Sequence, residues 1–241
     1  MEKPNSDYFN ATALRREYLI GEAFLAKYTT ISRDFIWQEQ NERFKRLLAR
    51  AWRMPFYRRL WGTHGVKPGD VRSLLDIEKL PIFDVVTLTS AQENTALFGD
   101  FTGQDSYEAG LAPPLVDRFF GPRGAEIRQL LLERTCFLQS GRDGDYRHYS
   151  TESGGLIAVE GPDRDGLYLM EDAHYVEILS PLTQLAVIDG ARGELVVTSL
   201  YKDDVAPLIR FNTHEISAIC AGESSLGLNL RRIESPSRRM S

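Results

Sequence analysis

The run Gly193-Glu194-Leu195-Val196-Val197-Thr198-Ser199-Leu200 constrains the fold of this chain more than any other stretch. Leu195, Val196, Val197 and Leu200 form a β-branched and aliphatic run of strand length opened by a glycine, which predicts a strand buried on both faces. Pro207 breaks the chain before a second short strand, expected over Leu208 to Phe211. Arg210, Asn212, Thr213, His214 and Glu215 then put five polar side chains directly after two apolar strands. Strand-end loops of this kind tend to hold ligand-binding groups. The plainer alternative is a buried strand pair followed by a solvated loop.

At 241 residues the chain is long enough to bury a sizeable core, as one large domain or two small ones. Hydrophobic residues make up 42% and charged residues 26%, which argues against disorder of the whole chain. A formal net charge of -5 leaves no electrostatic footprint for nucleic acid. The two cysteines, Cys136 and Cys220, lie far apart with no nearby cluster of histidines, so neither a disulfide framework nor a structural zinc site is expected. The N-terminus has no apolar h-region, and no apolar run approaches membrane-spanning length. No membrane partner is therefore expected, and the expected location is cytoplasmic.

From about Asn10 to Arg53 the pattern is helical. Ser32-Arg33-Asp34 offers a capping start, after which Trp37, Phe44, Leu47, Leu48 and Ala51 share one face and Glu39, Glu42, Arg43 and Arg46 the other. Met54-Pro55-Phe56-Tyr57 ends this helix and begins another, and Ser73 caps a shorter one over Leu74 to Leu80. Thr87 to Gly121 scatters turn formers with no lasting period. Ala125 to Leu138 reads as helix, whereas Leu156 to Val159, Leu167 to Met170 and His174 to Leu179 read as strands. Glu171, Asp172 and His174 admit a metal or acid–base reading, set against a plain turn and strand start.

Three stretches resemble one family. Gly193 to Glu215 is similar to the G-E-L-V-V-T-S-L … P-L-I-R-Y-R-T-G-D segment of the phenylacetate–CoA ligase-like branch of adenylate-forming enzymes. Pro55-Phe56-Tyr57-Arg58, Gly65-Val66 and Ser73-Leu74-Leu75-Asp76-Ile77-Glu78-Lys79-Leu80-Pro81 resemble the opening P-F-Y-R … G-V … S-L-x-D-L-x-x-L-P of the same ligases. The resemblance implies that Glu215 stands where an acidic residue holds the ribose hydroxyls, with His214 in place of the usual glycine. Glutamate keeps both acceptor oxygens and adds a methylene. Tyr149-Ser150-Thr151-Glu152 resembles the Y-G-x-T-E motif, with serine where glycine is usual and one residue fewer. By that resemblance Tyr149 lies against the adenine, Ser150 lines the site, Thr151 bonds the α-phosphate and Glu152 helps to hold Mg²⁺, a hard cation that wants carboxylate and phosphate oxygens. No catalytic residue is assigned.

The same comparison marks what is lacking. The family's hydroxyl-rich phosphate loop, S-[SG]-G-T-T-G-x-P, does not occur between the matched blocks. Ser235-Pro236 replaces the Gly-Arg of the family hinge R-I-x-G-R-x-D-D-M, and the resemblance implies loss of the hinge and of the lysine-bearing domain beyond it. The expected protein is an internally deleted and C-terminally truncated relative. Its fold class is α/β, with an N-terminal helical layer and a strand-rich C-terminal part. Four portions are expected: a helical region over 1–86, an irregular middle with one helix over 87–145, a strand-rich region with the adenylate motifs over 146–220, and a tail over 221–241.

Two functions follow from the resemblance. One is an ATP-dependent ligase that activates a small aromatic carboxylic acid through an acyl-adenylate and passes it to CoA, in impaired form. The other is a non-catalytic remnant that binds or interacts, paired with a second copy or with a complete homologue. ATP or AMP, Mg²⁺ and CoA are the implied cofactors and co-substrates.

Overall fold

The structure is a computed structural model and describes residues 11–93, 115–139, 145–151, 154–202 and 207–238. Helices come first: α1 (Ala11–Glu17), α2 (Gly21–Thr30), α3 (Arg33–Ala51), α4 (Pro55–Thr63), a 3-10 turn (Leu74–Lys79), α5 (Val85–Glu93) and α6 (Leu115–Gln139). Eight strands follow: β1 (His148–Thr151), β2 (Gly155–Glu160), β3 (Leu167–Leu169), β4 (His174–Leu179), β5 (Gly193–Ser199), β6 (Leu208–Ser217), β7 (Arg232–Ile233) and β8 (Ser237–Arg238). An α/β chain with its helices ahead of its strands is the order expected.

Local chemistry sets the helix starts. The Ser32 hydroxyl accepts from the Phe35 amide at 3.3 Å, which satisfies an orphan donor of the first turn of α3. Pro55 opens α4, where its missing N–H costs nothing. Ser73 caps as anticipated, but the turn behind it is 3-10 rather than α. Asp84 caps α5 by accepting from the Thr87 amide and hydroxyl, each at 2.9 Å. That cap starts a helix where the sequence shows no lasting period, and α6 likewise begins before the expected Ala125, at Leu115.

The strands form two antiparallel sheets, in the orders β1-β2-β3-β7 and β4-β5-β6-β8. Between them lies a core that includes Tyr149, Ile157, Leu169, Val176, Leu195 and Val197. A second core packs α3, α4, the 3-10 turn and α5 on β6 through Phe44, Leu47, Tyr57, Trp61, Phe83 and Phe211. A third packs α1, α2 and α6 on the first sheet through Tyr18, Phe24, Ile127, Leu130, Val159 and Tyr168. β5 is buried at every position but Glu194, as a strand covered on both faces must be. A Cβ on Gly193 would stand 2.5 Å from the Leu179 carbonyl oxygen, so the glycine lets β4 and β5 close.

β6 departs from expectation. The strand was anticipated to end at Phe211, and it continues to Ser217, so the five polar residues lie within the strand and not in a loop after it. Two bulges interrupt its pairing with β5, one between the pairs made by Glu194 and Val196 and one between those made by Val197 and Ser199. His214 sits in the first and Arg210 in the second, each with φ 57, the left-handed region. The bulges turn polar side chains off the apolar alternation, which is why the pattern reads as a strand end.

Candidate functional site

Four of the five residues singled out from sequence fall within the described part of the chain; Glu152 lies outside it. Tyr149 is on β1 of the first sheet and Glu215 on β6 of the second, yet the Tyr149 hydroxyl donates to Glu215 Oε2. The pair therefore closes one end of the inter-sheet core. Tyr149 is 8% exposed, with its ring in that core. Burial pushes its phenol pKa up, and the bond to the Glu215 carboxylate pushes it further. The phenol stays protonated and remains a donor.

The backbone beneath Glu215 is pinned by its neighbours. Thr213 Oγ1 donates to the Leu195 carbonyl at 2.9 Å and accepts from the Glu215 amide at 3.3 Å. The Asn212 side chain donates to Glu194 Oε2 at 2.9 Å and accepts from the His214 amide at 2.8 Å. His214 Nε2 lies 3.2 Å from Asp84 Oδ2. Asp84 arrives there because Phe83 pairs with β6: its amide donates to the Arg210 carbonyl at 3.2 Å, and its carbonyl accepts from the Asn212 amide at 2.8 Å. Burial alone would raise the Asp84 pKa, but the Thr87 bonds and His214 hold it below the usual carboxylate range.

Ser150 is exposed on β1. Thr151 is partly buried, and its hydroxyl accepts from the Gly154 amide at 2.9 Å. Of the four, the structure brings Tyr149 and Glu215 into contact, a neutral phenol against a half-buried carboxylate, while Ser150 and Thr151 follow Tyr149 along β1. Among the described residues no group of three or more His, Cys, Asp or Glu could hold a metal ion.

Glu171, Asp172 and His174 serve the fold. Glu171 is buried and bonded by Arg33 and Arg231, and Asp172 is paired with Arg134 at 2.5 Å. Gln40 Nε2 donates to the carbonyls of Glu171 at 2.9 Å and His174 at 3.0 Å. Asp84 is the support of the site that sequence reasoning missed. The sequence signal for Asp84 was its spacing as a helix cap ahead of Val85, whereas Thr213 already stood out among the five polar residues after the two apolar runs.

No family model matches the chain. Phenylacetate-coenzyme A ligase of Pseudomonas putida is 36% identical over 76 residues, which is 28% of this chain and 17% of that protein. The enzyme of that name from Escherichia coli (strain K12) is 32% identical over 94 residues, 36% of this chain and 21% of that protein. The matched segments thus span about a fifth of the length of these curated relatives. Among solved structures, 2-hydroxyisobutyryl-CoA ligase in complex with 2-HIB-AMP and CoA aligns with TM-score 0.66 at 16% identity, over 98% of this chain and 75% of that one. The same ligase with R3-HIB-AMP aligns with TM-score 0.63, also at 16% identity, over 86% of this chain and 68% of that one. At that identity the likeness is one of fold.

Proposed function

We propose, on the premise that this chain belongs to the phenylacetate–CoA ligase-like branch of the adenylate-forming enzymes, that it binds an adenine nucleotide at the junction of its two sheets. The observation that carries this reading is the meeting of Tyr149 and Glu215, 66 residues apart in sequence and on different sheets. Two stretches picked out by separate motif resemblances share one place. His214 adds support: the position where the family has glycine is left-handed here, a conformation that glycine adopts freely and other residues rarely do.

In this reading Glu215 accepts from the ribose, Tyr149 supports it from within the inter-sheet core instead of lying against the adenine as the motif resemblance implies, and Ser150 and Thr151 line the phosphate side. Glu152 would add a carboxylate for Mg²⁺, which would neutralise phosphate charge. The reaction assigned to such a site is attack of a carboxylate on the α-phosphorus of ATP with departure of pyrophosphate, followed by displacement of AMP by the CoA thiol. The substrate we propose is a small aromatic acid, after the relatives named for phenylacetate. The four-part division at residues 86, 145 and 220 belongs to the same proposal, as does a cytoplasmic location.

One sequence observation favours a second reading, a remnant that binds nucleotide without turning it over. No phosphate loop lies between Asp84 and Tyr149, and each lost donor of that kind costs about a hundredfold to a thousandfold in rate. Thermal unfolding with and without AMP, ATP and Mg²⁺ tests the site. Ligand at a hundred times its dissociation constant stabilises by about 2.7 kcal/mol, a rise of several degrees in the midpoint. An unmoved midpoint at saturating nucleotide would sink the reading. Pyrophosphate release on adding phenylacetate then separates ligase from remnant.

A further inference from the structure

We propose that Tyr149 is a positioning residue which commits one oxygen of Glu215, so that the site recognises the sugar of its nucleotide through a single hydroxyl. The inference rests on the nucleotide reading above and specifies how that site discriminates.

Glu215 Oε2 is taken by the Tyr149 hydroxyl, and Oε1 has no partner among the described residues. The backbone at both ends of this bond is fixed. The Tyr149 ring is packed in the inter-sheet core, and its backbone is paired with Ala158 on β2. Glu215 is held by its amide on Thr213 and by pairing with Arg238 on β8. A sugar hydroxyl that displaced the phenol from Oε2 would break a charge-assisted bond and leave the buried O–H only the neighbouring Thr213 hydroxyl, a loss that weakens binding by about tenfold. A carboxylate shared with a fixed donor therefore keeps one oxygen for the ligand.

The glutamate makes this sharing possible. An aspartate on the same backbone would fall short of the phenol by about one carbon–carbon bond, ~1.5 Å, and would leave both of its oxygens to the sugar. The extra methylene at this position is thus a change in what the site reads, and Tyr149 and Glu215 act as a unit.

Calorimetric titration of the full chain with AMP, 2′-deoxy-AMP and 3′-deoxy-AMP provides the test. The expected result is asymmetric: one monodeoxy analogue binds within about threefold of AMP and the other about tenfold or more weaker. Tyr149→Phe frees Oε2, and in that variant both analogues bind more weakly than AMP. Equal tenfold losses for both analogues on the wild-type chain would overturn the inference while leaving the nucleotide site standing. Equal affinity for all three ligands would overturn it too, since the carboxylate would then take no part in sugar binding. Failure of the wild-type chain to bind AMP at all would overturn the nucleotide reading, and this inference with it. Should Tyr149→Phe not fold, the comparison on the wild-type chain decides alone.

Discussion

His174 shows how one residue can carry the pH dependence of the fold. It is fully buried, with Nε2 2.8 Å from the Leu156 carbonyl oxygen, Nδ1 3.3 Å from the Ser199 hydroxyl and its ring edge-on to Tyr201. Burial drives its pKa down to about 4, so the folded protein keeps this imidazole neutral. An unfolded chain binds the proton near pH 6.5. Between those values the unfolded state holds more protons, so stability is fully present above about pH 6.5 and falls as the pH drops toward 4, by about 3 kcal/mol for this group. His174→Gln should remove that slope, as read from urea unfolding at a series of pH values; a variant with the wild-type slope would assign the effect elsewhere. Below that window Glu171 and Asp172 take over. Burial alone would raise both, but their arginine partners hold them low, and their protonation should unfold the chain in acid. Glu177 runs the other way, since burial raises it despite Arg210.

At the scale of elements, Arg210 binds the N-terminal helices to the second sheet. Its guanidinium meets Glu177 on β4 with bonds of 3.2 and 3.0 Å and donates to the carbonyls of Glu78 at 3.1 Å and Leu80 at 2.6 Å. The left-handed bulge turns it out of the β6 alternation toward them. Tyr57 on α4 adds a second tie, donating to the Pro207 carbonyl at 2.7 Å and accepting from the Ile209 amide at 3.1 Å. Arg210→Met leaves Glu177 buried without its partner and should cost about 3 to 5 kcal/mol of unfolding free energy. Adding Glu177→Met should recover most of that loss, because two apolar side chains need no partner; an additive result would mean that the pair is not the source. The sequence marked Arg210 as polar and out of place, and only the packing of the 3-10 turn reveals what it holds.

For the molecule as a whole, the turn after β3 is the hub. Arg33 of α3 and Arg231 before β7 converge on Glu171, and Arg134 of α6 on Asp172, so segments from both ends of the chain close on one buried turn. Trp37, Trp52 and Trp61 all belong to the helical layer and pack on or in its core. If that layer and the sheets unfold together, tryptophan fluorescence and far-UV circular dichroism will give coincident denaturation curves. Separate midpoints would show that the helical layer is a unit of its own, in keeping with a boundary near residue 86.

The sequence by itself determined the elements with strong local signals. β5, the capped start of α3, the proline start of α4 and the order of helices before strands follow from side-chain period, caps and proline geometry, which act within a few residues. The stretches resembling family motifs were readable for the same reason: each is a short run of adjacent residues. Only the tertiary structure decided that β6 runs on through its polar residues, that β1, β7 and β8 exist, and that Tyr149 touches Glu215. Those strands are two to ten residues long and borrow their hydrogen bonds from partners far along the chain, and the bulges that break the alternation of β6 are set by its register against β5. A contact between two sheets has no period in sequence, because it depends on where separate strands are laid side by side.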